Sequence, residues 1–292
     1  SMELDVNLVF SKIQDICVQL ISQYVPGDKS LDAMNMLNTA LLDFSDVKAH
    51  PGDGFTRHPW VETQNELMNS DIEFKDDAER HAAHVAYHGL ISWLDHNIGQ
   101  ILTTLDETGL SENTTIIYSS DHGDNVGARG LWGKSNCYEE SAAIPLIIAG
   151  PDIRHGVCKT PASLLDVSAT IPRYFGIEPD EKMVGTDLMT LAAQEADTER
   201  VIFSEYHAAG AVSGAFMIRK GCWKLIYYVG FEPELFDLAS DPDELHNLAP
   251  DAVWAEKKAE LIAELYQICD PEAVDKQAHA DQREMVEALG GL

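Results

Sequence analysis

The chain has 292 residues, 45% of them hydrophobic, with a formal net charge of −29, enough to bury one sizeable core plus a smaller appendage. Such a surplus of negative charge repels nucleic acid and anionic membrane surfaces, which excludes both as partners, while a cationic substrate group is tolerated. The five cysteines, at 17, 137, 158, 222 and 269, form no Cys-x-x-Cys pair, so a reducing, cytoplasmic compartment is expected rather than a disulfide framework or thiolate zinc site. No basic leader followed by an apolar stretch opens the chain, and no run approaches the roughly eighteen apolar residues of a membrane span.

Residues 1–48 read as a helical hairpin. Val6, Val9, Phe10, Ile13, Cys17, Leu20 and Ile21 recur at helical spacing, Pro26-Gly27-Asp28 interrupts, and Leu31, Met34, Leu37, Leu41 and Leu42 resume. From His50 to Lys75, Pro51, Gly52, Gly54 and Pro59 predict mostly loop. A long helix follows from Asp76 to Thr108, opened by acidic residues and closed near Gly109. Ala86, Leu90, Trp93, Leu94, Ile98, Ile101 and Leu105 share its expected core face. His81, His84, His88 and Asp95 fall opposite, as a hydrated polar stripe rather than a zinc site.

Thr114 to Tyr118 predicts a short buried strand, after which Ser120-Asp121-His122-Gly123 switches abruptly to residues that packing does not ask for. The triplet Asp-His-Gly can be an ordinary turn. At the carboxyl end of a strand in an open α/β sheet, however, it lies where ligands bind. A carboxylate and an imidazole side by side can reach one divalent cation, and Lys134, twelve residues on, can neutralise an anionic oxygen which that cation polarises. The pattern suits hydrolysis of a sulfate or phosphate ester. Asn125 to Cys137, with Gly127, Gly130 and Gly133, reads as a functional or strained loop that a ligand would order, Arg129 being a weaker candidate than Lys134.

Glu139 and Glu140 begin the next helix, and Pro145 to Ala149 predicts a fully buried strand of a mostly parallel sheet. Another helix starts near Ser163 and contains Asp166, for which a structural cap suffices. Short strands follow at 201–203, 214–218, 223–228 and 234–236, with a hairpin signal at Lys220-Gly221. Trp223, Tyr227 and Tyr228 could form an aromatic wall for a cation, although cross-strand packing is the commoner role. Ala252 to Ile268 is amphipathic, and the tail after Pro271 is polar enough to need a partner surface for order.

The run Ser120 to Pro151 resembles the second signature region of sulfatases in the alkaline phosphatase superfamily, where a strand ends in Asp-His-Gly and a Gly-Leu-Trp-x-Lys segment follows, here Gly130-Leu131-Trp132-Gly133-Lys134. Segments 86–95, 144–151, 164–170 and 235–242 fall in the same order, and Ala280-Asp281-Gln282-Arg283 is similar to the end of choline-sulfatase-like members. The resemblance runs from Arg57 to the C-terminus. It implies an α/β, alkaline-phosphatase-like fold: a mostly parallel sheet flanked by helices, with a small C-terminal antiparallel sheet. The expected division is a non-matching helical segment 1–48, the C-terminal part of the catalytic domain at 49–195, the small sheet at 196–250, and a helix and tail at 251–292.

By the same resemblance, Asp121 and His122 are metal ligands, with calcium the expected cation; the residue types alone admit manganese or zinc equally. Lys134 grips the substrate sulfate and, with His122, serves catalysis. His50, in His50-Pro51, is similar to a family histidine near the leaving group. The implied reaction is hydrolysis of a sulfate monoester, choline sulfate among the candidates, with phosphonate and phosphate monoesters as alternatives. One departure bears on all of this. The family's Cys-x-Pro/Ala-x-Arg or Ser-x-Pro/Ala-x-Arg segment, whose first residue becomes the formylglycine nucleophile, is not found around any cysteine or serine here. This sequence therefore resembles the C-terminal portion alone and cannot form formylglycine. Inactivity in isolation, completion by a homo-oligomer or a second chain, and a non-catalytic binding or assembly role are the expectations that follow.

Overall fold

The computed structural model describes residues 55–68 and 76–290; the expected hairpin of residues 1–48 and His50 lie outside them. The stretch expected as loop instead carries helix α1, Pro59–Met68. Pro59 occupies the first helical position, where its missing N–H costs nothing, and the next two residues, Trp60 and Val61, are buried. The proline starts a helix rather than breaking one.

Helix α2 spans Asp77–Glu107 and is capped by Asp76, whose carboxylate accepts from the Glu79 N–H at 2.9 Å. It ends just before Gly109, which takes the left-handed conformation (φ 70°) suited to a helix terminus. Its faces are the reverse of the expectation. His84, Val85 and Gly89 are the buried positions, whereas Leu90, Ile91, Leu94 and Ile101 are 49–61% exposed. Periodicity locates an apolar stripe but not its neighbour, and here the described part of the fold packs on the polar side.

Strands β1 (Ile116–Ser119) and β2 (Leu146–Ala149) pair antiparallel, with Tyr118 opposite Ile147. No parallel pairing occurs among the described residues. β2 is also not the fully buried strand expected: half-buried and exposed residues alternate along it, and Ile147 is exposed. A strand buried on one face only shows such alternation. Helices α3 (Glu139–Ala142), α4 (Leu164–Tyr174) and α5 (Leu188–Ala193) follow. Asp166 in α4 is a structural residue: fully buried, it accepts the Ser163 and Thr186 N–H groups at 2.8 Å and two guanidinium bonds from Arg200 at 2.7 and 2.9 Å.

The small sheet contains β3 (Ile202–Tyr206), β4 (Ala215–Lys220), β5 (Trp223–Tyr228) and β6 (Glu234–Asp237), all antiparallel in that order. Gly221, at φ 61°, permits the tight β4–β5 turn. One face, with Phe216, Ile218, Leu225 and Leu235, packs on Leu261 and Leu265 of helix α6 (Ala255–Ile268). The other face, with Met217, Ile226, Tyr228 and Phe236, meets Trp60, Leu131 and Tyr138, so the sheet backs the glycine-rich loop. The polar tail forms helix α7, Pro271–Ala288, tied to the start of the interior strand β4 by Asp275, which accepts from the Gly214 N–H at 2.6 Å. No described helix is long and apolar enough to cross a membrane.

Between sheet and loop lies Glu234, 2% exposed, accepting from the Tyr138 hydroxyl at 3.0 Å and the Tyr228 hydroxyl at 2.8 Å. Burial pushes its carboxyl up to about 7, against the lowering effect of the tyrosine bonds. An acid raised on folding gives stability that is whole below its unfolded value of 4.5 and lost as pH rises through about 7. At about 1.4 kcal/mol per pH unit, the loss is on the order of 3 kcal/mol. Denaturant midpoints should therefore fall between pH 5 and 8, and Glu234→Gln should flatten that slope; a variant with the wild-type slope would contradict the assignment.

Candidate active site

β1 delivers the chain to Ser120, and a dense local net fixes the turn that follows. The Ser120 hydroxyl donates to the His122 carbonyl at 2.8 Å, and the His122 N–H donates to Asp121 Oδ1 at 3.0 Å. His122 Nδ1 lies 2.8 Å from the Gly123 carbonyl, which can only accept, so Nδ1 carries a proton and Nε2 faces outward. That Nε2 is 3.3 Å from Asp121 Oδ2 and 2.5 Å from Lys134 Nζ. Three residues spread over fourteen positions of sequence thus converge on one ring nitrogen. Desolvation raises the Asp121 carboxyl, but the His122 N–H and imidazole outweigh it and hold the group below its usual value. A carboxylate so held stays ionised for a cation.

Gly123 is required by space. Its N–H donates to the Ser141 carbonyl in α3 at 2.8 Å, and a Cβ there would stand 2.0 Å from the Glu140 carbonyl oxygen. The loop beyond is strained as expected: Val126, Arg129 and Ser135 all have positive φ, at 45°, 54° and 87°, a region that disfavours residues bearing a Cβ. Bonds to its backbone carbonyls hold its shape. Asn125 binds the Gly133 carbonyl through its N–H and side-chain amide at 2.6 and 2.8 Å. Arg57 donates to the carbonyls of Arg129 and Gly130 at 3.1 and 2.8 Å, and Gln64 to that of Ser135 at 2.6 Å.

Arg129 does not accompany Lys134. It is 2% exposed, pairs with Glu140, donates to the Asp243 carbonyl at 2.6 Å, and lies 4.2 Å over the Tyr138 ring. His84, expected in the hydrated stripe, is buried against Trp132, ring centroids 4.9 Å apart. The aromatic wall does not form either, because neighbouring strand residues point to opposite faces. Tyr228 is buried beneath the loop, Tyr227 shares Glu272 with Tyr266, and Trp223 packs on Trp254. Sequence reasoning missed Arg57, Gln64, Lys224 and Glu244, which support the loop and α3. Only Lys224 carried a signal, as a charge at an inward position of an apolar strand.

Asp121 Oδ2 and His122 Nε2 are close enough to reach one cation, and a carboxylate with an imidazole admits manganese or zinc by its residue types. The pair alone would be only part of a coordination shell; no group of three or more His, Cys, Asp or Glu able to hold an ion occurs among the described residues. When bound, a cation there would polarise an ester oxygen.

Residues 56–177 match the Sulfatase family, and residues 127–270 match the family described as N-sulphoglucosamine sulphohydrolase, C-terminal. A choline-sulfatase of Rhizobium meliloti (strain 1021) is 38% identical over 205 residues, covering 69% of this chain and 40% of that protein. Arylsulfatase K of Homo sapiens is 31% identical over 210 residues, covering 68% and 39%. Among solved structures, one in complex with its substrate D-glucosamine-2-N,6-O-disulfate aligns with a TM-score of 0.58 at 27% identity, covering 75% of this chain and 46% of that one. The phosphonate monoester hydrolase of Silicibacter pomeroyi aligns with a TM-score of 0.64 at 23% identity, covering 77% and 50%. The chain belongs to the sulfatase family, with an alkaline-phosphatase-like fold. It spans about two-fifths of the length of the curated relatives it matches.

Proposed function

We propose that this chain carries the part of a sulfate-monoester hydrolase site that grips the cation and the anion. Asp121 and His122 are the metal ligands, calcium the expected ion, and Lys134 meets the ester's anionic oxygen. The convergence of a carboxylate, an imidazole and an ammonium on His122 Nε2 carries this reading. With Nδ1–H directed at the Gly123 carbonyl, the imidazole is oriented for its role in catalysis. The choline-sulfatase likeness supports choline sulfate as substrate. Phosphonate and phosphate monoesters remain the alternative, since a phosphonate monoester hydrolase shares the fold.

The formylglycine motif is not among these 292 residues; in this reading the nucleophile comes from polypeptide outside them that completes the sheet, a second chain being one source. The exposed Leu90, Ile91, Leu94 and Ile101 of α2, and Ile147 of β2, are the apolar surface such a partner would cover. Native mass measurement of the complex from its source tests this. A non-catalytic binding protein is the rival, and it requires Lys134 just as much for anion affinity. The cysteine spacing keeps the proposed setting reducing and cytoplasmic.

Lys134→Ala should weaken binding of a sulfate ester about 10- to 100-fold, the value of a charge-assisted hydrogen bond of roughly 1.5–3 kcal/mol. Calorimetric titration reads this directly. Unchanged affinity would remove Lys134 from the site.

A further inference from the structure

Lys224 occupies an inward position of β5, on the face that carries Ile226 and Tyr228, and is 0% exposed. Packing asks for an apolar residue there, and an unpaired ammonium would be costly. Its Nζ lies 2.8 Å from Glu139 Oε1 and 2.8 Å from Glu244 Oε1. The other Glu244 oxygen accepts from the Glu139 N–H at 2.6 Å, and the other Glu139 oxygen takes Arg219 at 3.1 Å. Glu244 is itself 0% exposed and held at φ 53°, a conformation an L residue adopts only under constraint. Three of these four contacts involve Glu139, the first residue of α3, and the fourth ties Lys224 to Glu244. Two residues later, α3 presents the Ser141 carbonyl that takes the Gly123 N–H, directly beside His122.

We infer that Lys224 is a positioning residue for the Asp121–His122 turn: the buried Lys224, Glu244 and Glu139 cluster fixes α3, and α3 sets where the turn can lie. The path is short and made of bonds on a rigid sheet, which is how outlying partners orient ligating groups. Burial lowers the Lys224 pKa, but Glu244 and Glu139 more than restore it, so the ammonium stays charged. The inference rests on the proposed site only in what the turn is for; the geometric claim stands apart from catalysis.

The test uses the full chain and compares the His122 imidazole proton resonances at one fixed pH in wild type, Lys224→Met and Glu244→Gln. Lys220→Met is the control: Lys220 ion-pairs with Glu260 and Glu264 of α6, away from the turn. Both cluster variants should displace the His122 resonances while the control leaves them in place, and calcium-dependent affinity for a sulfate ester should fall about tenfold in the cluster variants alone. Superimposable His122 resonances in folded Lys224→Met would overturn the inference. If that variant does not fold, Glu244→Gln decides in the same way, because its amide oxygen can still accept from the Glu139 N–H. Displaced resonances without any sulfate binding in wild type would uphold the positioning and sink the proposed function instead.

Discussion

Gly123→Ala should lower the stability of the chain by about 3 kcal/mol, the upper part of the range for overpacking, and should separate His122 from Lys134. The added methyl would meet the Glu140 carbonyl oxygen at 2.0 Å, far inside contact distance. Relief requires α3 or the turn to move. α3 cannot yield cheaply, since Glu140 is paired with buried Arg129, and Glu139 with buried Lys224. The turn must therefore move, lengthening the Gly123 to Ser141 bond and taking His122 with it. Denaturant unfolding gives the first number, and loss of sulfate-ester affinity reports the second. An alanine variant within about 0.5 kcal/mol of wild type, the scatter of neutral surface changes, would show that the turn is not clamped as described.

Asp166→Ala should cost a similar amount, about 3 kcal/mol, the lower end of the range for breaking a buried ion pair. The lower end applies because the Arg200 side chain keeps 21% of its surface exposed and can recover some hydration. The substitution also strands the N–H groups of Ser163 and Thr186. The pH dependence has a definite sign. Burial raises the Asp166 carboxyl, but Arg200 and the two N–H bonds bring it below the usual 3.8, so its stabilisation is present above pH 3.8 and lost as pH falls through the folded value. Asp166→Asn should remove that acid limb and leave the slope above pH 5, assigned to Glu234, untouched. Urea midpoints measured across pH 2 to 8 separate the two groups, and an acid limb persisting in Asp166→Asn would assign it elsewhere.

Local chemistry was legible in the sequence where one residue type does one thing. Asp76 caps α2 and Gly109 follows its end, the small sheet's turn falls at Gly221, and strain in the loop was announced by its glycines. The juxtaposition of Asp121 and His122 follows from adjacency, and that of Lys134 from the resemblance. What could not be read was tertiary. The apolar stripe of α2 is real, yet sequence does not say which face meets the described fold, so the pattern puts His84 in solvent although its ring packs tilted against Trp132. Pro59 reads as loop in the sequence because a proline that begins a helix and one that ends it look alike until the burial of Trp60 is known. The β1–β2 pairing is antiparallel because strand direction depends on the chain's path between strands, not on the composition of either.

The central claim is that Asp121, His122 and Lys134 jointly hold an oxyanion together with a cation. The measurement that tests it most directly is a calorimetric titration of choline sulfate into the purified chain with and without calcium, repeated with Asp121→Ala. The account predicts calcium-dependent binding with no release of free sulfate, and loss of the calcium dependence in the variant. Equal binding with and without calcium, or a variant indistinguishable from wild type, would contradict it.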